Sequence, residues 1–241
     1  AVVPPGTDAP ARAREAMQSR ATAGRFDAST ATGVPTILCV ATLTPRKGHD
    51  VLLDALAALR TRAWRLDCVG STERSPATAS DLRARATRLG LESRVQWRGE
   101  LGDAELAAAY ESADLFALAA HHEGYGMALA EALAHGLPVV ATRVGASERL
   151  VGADAGLLVP PGDAAALAAA LDRMLGDLGE RARFAAGATR ARARLPTWTE
   201  GTFVTTAAWP TRRTTPLAGG DEFEHPRAAI SALRELRAQY N

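Results

Sequence analysis

The sequence predicts an α/β fold, a Rossmann-like parallel sheet with helices on both faces. Short apolar runs of strand length alternate with segments of helical period through residues 36–175. The runs are apolar at successive positions, as strands covered by helices on both sides must be. At 241 residues, 47% apolar and 23% charged, the chain can bury one sizeable core and carry a tail.

Each element has its own signal. Residues 36–42 form the first apolar run, and the turn Pro45-Arg46-Lys47-Gly48 ends it. Val51, Leu52, Leu53, Ala55, Leu56 and Leu59 then recur with helical spacing. Residues 65–70 read as a second strand, 82–89 as a helix and 95–97 as a third strand. A short helix is expected over 103–112, with Asp103 placed to cap it. Residues 114–119 give a fourth strand, and helix 126–135 stops at Gly136, a natural C-cap. Strands follow at 137–142 and 156–159, and Asp163 can cap an Ala/Leu-rich helix running to about Leu175. Residues 180–195 are Arg/Ala-rich and helical; 201–224 are rich in Thr, Pro and Gly; 226–240 read as a terminal helix. Three regions are expected: a linker and leading helix over 1–32, a Rossmann-like domain over 33–200, and a tail over 201–241. The apolar stripe Ile230, Leu233, Leu236 and Tyr240 in that tail needs a partner, either this domain or one outside the chain.

Composition narrows the function. A formal net charge of +1 gives no electrostatic case for nucleic acid or an acidic membrane as main partner. No apolar run approaches a membrane span. Cys39 and Cys68 both lie inside apolar runs and read as buried, reduced thiols, which fits the cytoplasm. Of the 28 basic residues, 27 are Arg and one is Lys47. A position that keeps Lys among so many Arg wants a compact ammonium rather than a planar fork.

Ligands of open parallel sheets bind beyond the carboxyl ends of the strands, so the loops there matter most. The stretch from His121 to Thr142 carries the densest signal. Gly124 and Gly126 allow close backbone approach, and the helix behind them offers free N–H groups and a positive dipole end to an anion. Glu123 precedes that helix and Glu131 lies eight residues on, within it. Two carboxylates flanking an anion site cannot both bind the anion. They suit hydroxyl groups at the two ends of a diphosphate ligand, a ribose at one and a sugar at the other. The three-residue cluster His121, His122, Glu123 lacks metal-ligand spacing with any further group, and no Asp-x-Asp occurs, so no metal is expected.

These residues resemble a known family. The pattern Glu123-Gly124-Tyr125-Gly126-Met127-Ala128-Leu129-Ala130-Glu131-Ala132, followed by Gly136-Leu137-Pro138-Val139-Val140-Ala141, looks like the retaining GT-B glycosyltransferases of family 4. Val2-Val3-Pro4-Pro5-Gly6-Thr7-Asp8 resembles that family's interdomain segment, with Pro5 in place of Asn. Val40 to Gly48 resembles its first-strand motif, and Val95-Gln96-Trp97-Arg98-Gly99 its third-strand motif. The resemblance covers residue 2 to about 200 in family order and implies the C-terminal, donor-binding domain of a GT-B fold, within a chain that begins between domains. It implies that Glu123 contacts the donor sugar, that Gly124, Tyr125, Gly126, Met127 and Ala128 meet sugar and phosphate, and that Glu131 binds the ribose. Lys47 would neutralise the diphosphate, and Arg98 and Gly99 would lie near the base. The family's first-strand Arg is Thr42 here and its preceding Gly is Ala41; Arg46 is the candidate replacement cation.

The implied activity is sugar transfer from a nucleoside-diphosphate sugar, with no cofactor and with an acceptor held mainly by an N-terminal domain outside this chain. A non-catalytic nucleotide-sugar module of the same fold is the alternative, and Thr42 leaves room for it. A GT-B epimerase or phosphorylase fits the paired-Glu context less well. A dinucleotide oxidoreductase is disfavoured, because no Gly-x-Gly-x-x-Gly follows the first strand. His49, His135 and His225 are expected at the surface or at helix ends, and Glu148 in a local cap or pair.

Overall fold

A computed structural model of the chain describes residues 33–192. The expected interdomain motif Val2–Asp8, the expected leading helix, the 201–224 stretch and the helix expected over 226–240 lie outside the described residues.

Six parallel strands form one sheet: β1 (Thr36–Val40), β2 (Arg65–Val69), β3 (Val95–Gly99), β4 (Leu115–Leu118), β5 (Val139–Thr142) and β6 (Gly156–Val159). Their spatial order is β3-β2-β1-β4-β5-β6. Among the described residues seven α-helices connect or follow them: α1 (His49–Ala57), α2 (Pro76–Arg88), α3 (Asp103–Ser112), α4 (Met127–Ala134), α5 (Ser147–Val151), α6 (Ala164–Gly176) and α7 (Leu178–Arg192). The chain runs outward from β1 to β3 and then crosses back to β4. Right-handed crossovers therefore place α1 and α2 on one face and α3, α4 and α5 on the other. α6 returns to pack on α1, while α7 packs on α4. The predicted α/β fold is what the chain adopts, with β1, β4 and β5 buried on both faces.

Several boundaries differ from the sequence reading for local reasons. α2 starts six residues earlier than expected, at Pro76, because its first turns are Ala, Thr and Ser and show little apolar period. The signal was Pro76 itself, which is favoured at the first helical position. Asp103 is the first residue of α3 rather than its cap. Gly102 takes the cap position, and its N–H donates to the Glu105 carboxylate at 3.2 Å. Asp163 does cap α6, accepting from the Ala166 N–H at 2.8 Å. The short α5 was not foreseen; five residues are too few to show a period. His49, expected at the surface or at a helix end, opens α1 but is only 2% exposed, with Nε2 3.7 Å from the Cys39 sulfur. Cys39 and Cys68 sit opposite each other on β1 and β2, both free and buried. No helix among the described residues is long and apolar enough to cross a membrane.

One glycine shows how tightly α7 docks. A Cβ at Gly187 would lie 1.6 Å from the Asp154 carbonyl oxygen. Gly→Ala inside a helix ordinarily gains about 1 kcal/mol. Here the sign reverses: Gly187→Ala should lose about 2 kcal/mol through overpacking, readable as a lower midpoint in urea unfolding.

Candidate donor site at the sheet's switch point

The strand order reverses direction between β1 and β4, and open α/β sheets bind ligands at such a point. The two loops that leave these strands are locked together. The Arg46 carbonyl accepts from the backbone N–H groups of His121 at 2.8 Å and His122 at 3.4 Å. Gly48 has φ +63°, and a Cβ there would meet the Ala119 carbonyl oxygen at 2.0 Å. Only glycine lets the first loop turn this closely over the end of β4.

Across this seam Lys47 Nζ donates to Glu123 Oε2 at 2.8 Å, with both side chains little exposed, at 11% and 12%. The other Glu123 oxygen, Oε1, accepts from the Gly126 N–H at 3.2 Å. Gly126 has φ +72° and opens α4, whose first-turn N–H groups have no acceptor within the helix. The lone Lys, the first of the two carboxylates and a helix N-terminus therefore share one corner. Lys47 and Glu123 were expected to make separate ligand contacts; in the fold they form a pair.

Glu131 lies one to two turns into α4 and accepts from the Tyr110 hydroxyl at 2.9 Å. Tyr110 is 1% exposed, and its hydroxyl also lies 3.4 Å from the Ala128 carbonyl. Burial, and next the Glu131 carboxylate, push the Tyr110 phenol well above its ordinary range. Tyr110 was not singled out in the sequence, although a buried tyrosine on an Ala-rich helix needs a partner for its hydroxyl.

Gly124 and Tyr125 are exposed, whereas Met127 and Ala128 are half-buried at the start of α4. Arg46 is half-buried and lines a cavity of about 670 Å³ between the first loop, α1 and α2, together with His49, Arg85, Arg88 and His121. Arg98 and Gly99 end β3, two strands away from β1. The Arg98 guanidinium bonds Asp67 at 3.2 Å, and the Gly99 carbonyl accepts from the Gly70 N–H at 2.8 Å. Arg98 is thus engaged with the sheet rather than with the Lys47 corner. His135 caps the end of α4 with its ring stacked on Tyr110, and Glu148 pairs locally with Arg143 at 2.6 Å. Among the described residues no group of three or more His, Cys, Asp or Glu is arranged to hold a metal ion.

A second glycine outside the predicted motif supports the Glu123 loop. Gly145, between β5 and α5, has φ +54°, and a Cβ there would lie 1.6 Å from the Glu123 carbonyl oxygen. The backbone of the β5–α5 connection is therefore in direct contact with the backbone that carries Glu123.

Comparison with known proteins finds relatives of this chain by sequence and by fold. The sequence model of the family described as glycosyl transferases group 1 matches residues 34–177. A D-inositol 3-phosphate glycosyltransferase of Xylanimonas cellulosilytica is 36% identical over 209 residues, which cover 83% of this chain and 48% of the relative. The chain thus spans about half the length of that curated relative. Among solved structures, Anabaena HepE in complex with UDP-glucose superposes with a TM-score of 0.62 at 26% identity, covering 78% of this chain and 49% of that one. The C-terminal domain of a group 1 glycosyl transferase (LpcC) from Francisella tularensis shares the fold, with a TM-score of 0.62 at 24% identity, covering 67% of this chain and 86% of that one.

Proposed function

The chain belongs to the group 1 glycosyl transferases, and we propose that it forms the donor-binding domain of a retaining, family 4 glycosyltransferase that moves a sugar from a nucleoside-diphosphate sugar to an acceptor. The observation that carries this reading is the corner at the switch point, where Lys47, Glu123 and the start of α4 converge. The diphosphate lies against Lys47 and the α4 N-terminus. Glu123 takes hydroxyls of the sugar, and Glu131 takes those of the ribose. Gly99, at the carboxyl end of β3, lies on the side of the base. An acceptor would approach from an N-terminal domain outside this chain.

The chemistry asked of these groups is electrostatic. When the bond between the sugar's anomeric carbon and the diphosphate breaks, its electron pair stays on the phosphate oxygen. Lys47 and the α4 dipole stabilise that charge as it develops. The acceptor oxygen bonds the anomeric carbon from the face the diphosphate leaves and gives its proton to the departing phosphate oxygen. No metal or other cofactor is required of the residues named. The relative at 36% identity is named for transfer, which favours a catalytic role over a non-catalytic sensor. The free, buried Cys39 and Cys68 suit a reducing, cytoplasmic location.

Thermal unfolding against UDP, GDP, ADP and dTDP, each with its common sugars, tests this. A ligand at a hundred times its Kd stabilises by about 2.7 kcal/mol, so one nucleotide should raise the midpoint clearly. No shift across the panel overturns the reading. Arg46 is the proposed second cation in place of the family Arg lost at Thr42. Its backbone contacts survive truncation, so Arg46→Ala should weaken donor binding about tenfold, the lower end of the scale of one charge-assisted contact. Unchanged affinity in calorimetry removes Arg46 from the site.

A further inference from the structure

We infer that Tyr110 is a positioning residue for nucleotide recognition: its buried hydroxyl fixes the Glu131 carboxylate in the orientation that reads the ribose. The inference rests on the proposed role of Glu131 and adds a residue to it.

The geometry is that of a fixed donor holding a flexible acceptor. The Tyr110 ring is clamped by His135, parallel at 7° with centroids 5.0 Å apart, and by Phe116 at 6.1 Å. At 1% exposure the ring has no room to swing. Its hydroxyl therefore stands at one point, 2.9 Å from Glu131 Oε2 and 3.4 Å from the Ala128 carbonyl. The hydroxyl has one proton, and the shorter contact to a carboxylate takes it. Glu131, by contrast, is a side chain of three torsions that loses rotamer freedom only if something holds it. A carboxylate has about four lone-pair sites, so accepting from Tyr110 does not by itself exhaust its capacity for ribose hydroxyls. Tyr110 comes from α3 and Glu131 from α4, so the bond also ties two helices at the place where the nucleoside would lie.

A tyrosine that merely packs would give the same contact, so the test reads ribose specificity. The full chain is titrated calorimetrically with UDP, GDP and ADP, each against its 2′-deoxy counterpart, as wild type, Tyr110→Phe and Glu131→Ala. Phe keeps the ring stack and removes only the hydroxyl. The expected result is a preference for the ribonucleotide in wild type that falls toward unity in both variants, by about five- to tenfold. If Glu131→Ala loses the preference and a folded Tyr110→Phe keeps it, the role of Tyr110 is overturned while that of Glu131 stands. If wild type shows no preference, or Glu131→Ala retains it, the ribose reading itself fails and this inference with it. Should Tyr110→Phe not fold, wild type labelled at the tyrosine Cζ supplies the same answer. The chain has three tyrosines, and the Tyr110 signal is assigned as the one that Tyr125→Phe and Tyr240→Phe each leave in place. That signal should move with the ribonucleotide and less with the deoxy form; equal responses overturn the inference.

Discussion

Lys47→Ala should weaken donor binding by about two orders of magnitude, the scale of losing a charge-assisted contact to a diphosphate in a partly buried site. Two effects add. The diphosphate loses its cation, and Glu123, 12% exposed, is left without the Nζ that sits 2.8 Å away. That stranded carboxylate would repel the ligand as well as cost stability. The double variant Lys47→Ala/Glu123→Gln separates the two: it should recover most of the lost stability but, with the repulsion gone and the cation still missing, only a minor part of the affinity for a bare nucleoside diphosphate. Lys47→Arg should be a poor rescue, since a planar fork does not fit a seam built around a compact ammonium.

The pairing of Lys47 with Glu123 also makes a signed prediction about Glu123 alone. In the ligand-free protein Glu123 occupies the cation that the diphosphate needs. Glu123→Gln keeps the shape and removes the competing charge. A bare nucleoside diphosphate should then bind about three- to tenfold tighter, by the net worth of one exposed-to-half-buried charge contact. A nucleotide sugar should bind no tighter or more weakly, because its sugar hydroxyls lose their carboxylate. Opposite effects on the two ligands, measured by calorimetry, place Glu123 at the junction of diphosphate and sugar. Parallel effects would assign it a purely structural part.

Gly145→Ala carries the second large effect. The added Cβ would stand 1.6 Å from the Glu123 carbonyl oxygen at a backbone φ of +54°. Both the left-handed conformation and the overlap oppose it, and a loss of about 2–4 kcal/mol is expected from strain and overpacking together. Relief requires the Glu123–Gly124 backbone to move by more than an ångström, which displaces the carboxylate from Lys47. Donor affinity should fall more than tenfold even at temperatures where the variant stays folded, since active-site contacts of this kind are sensitive to such shifts. Gly124→Ala is the internal contrast. Nothing lies within 4 Å of a Cβ there, so stability should stay within about 0.5 kcal/mol, while a ligand pressed against that backbone would still be pushed away.

The sheet was legible in the sequence because β1, β4, β5 and β6 are near-continuous apolar runs and α1 and α6 keep a helical period. The Lys47 corner was legible because its residue types are rare or patterned: the one Lys, and a carboxylate beside two glycines. What was hidden depends on contacts between distant segments. Gly145 is one of 21 glycines, and nothing local distinguishes it until the β5–α5 connection is laid against Glu123. Tyr110 is embedded in an Ala-rich helix and acquires meaning only when α3 packs beside α4. The pairing of Lys47 with Glu123 spans 76 residues of chain and follows from the adjacency of β1 and β4. His49 stands at a helix end, one of its two expected places, but its burial was hidden because position at a helix start says nothing of which way the side chain turns; here it turns inward onto Cys39.

A structure of the chain bound to the nucleotide sugar that stabilises it most tests the account most directly. The expected result places the diphosphate within hydrogen-bond reach of Lys47 Nζ and the first N–H groups of α4, the ribose hydroxyls on Glu131, and the sugar on Glu123. A ligand seated instead in the cavity between α1 and α2, with the Lys47–Glu123 pair intact, would contradict it.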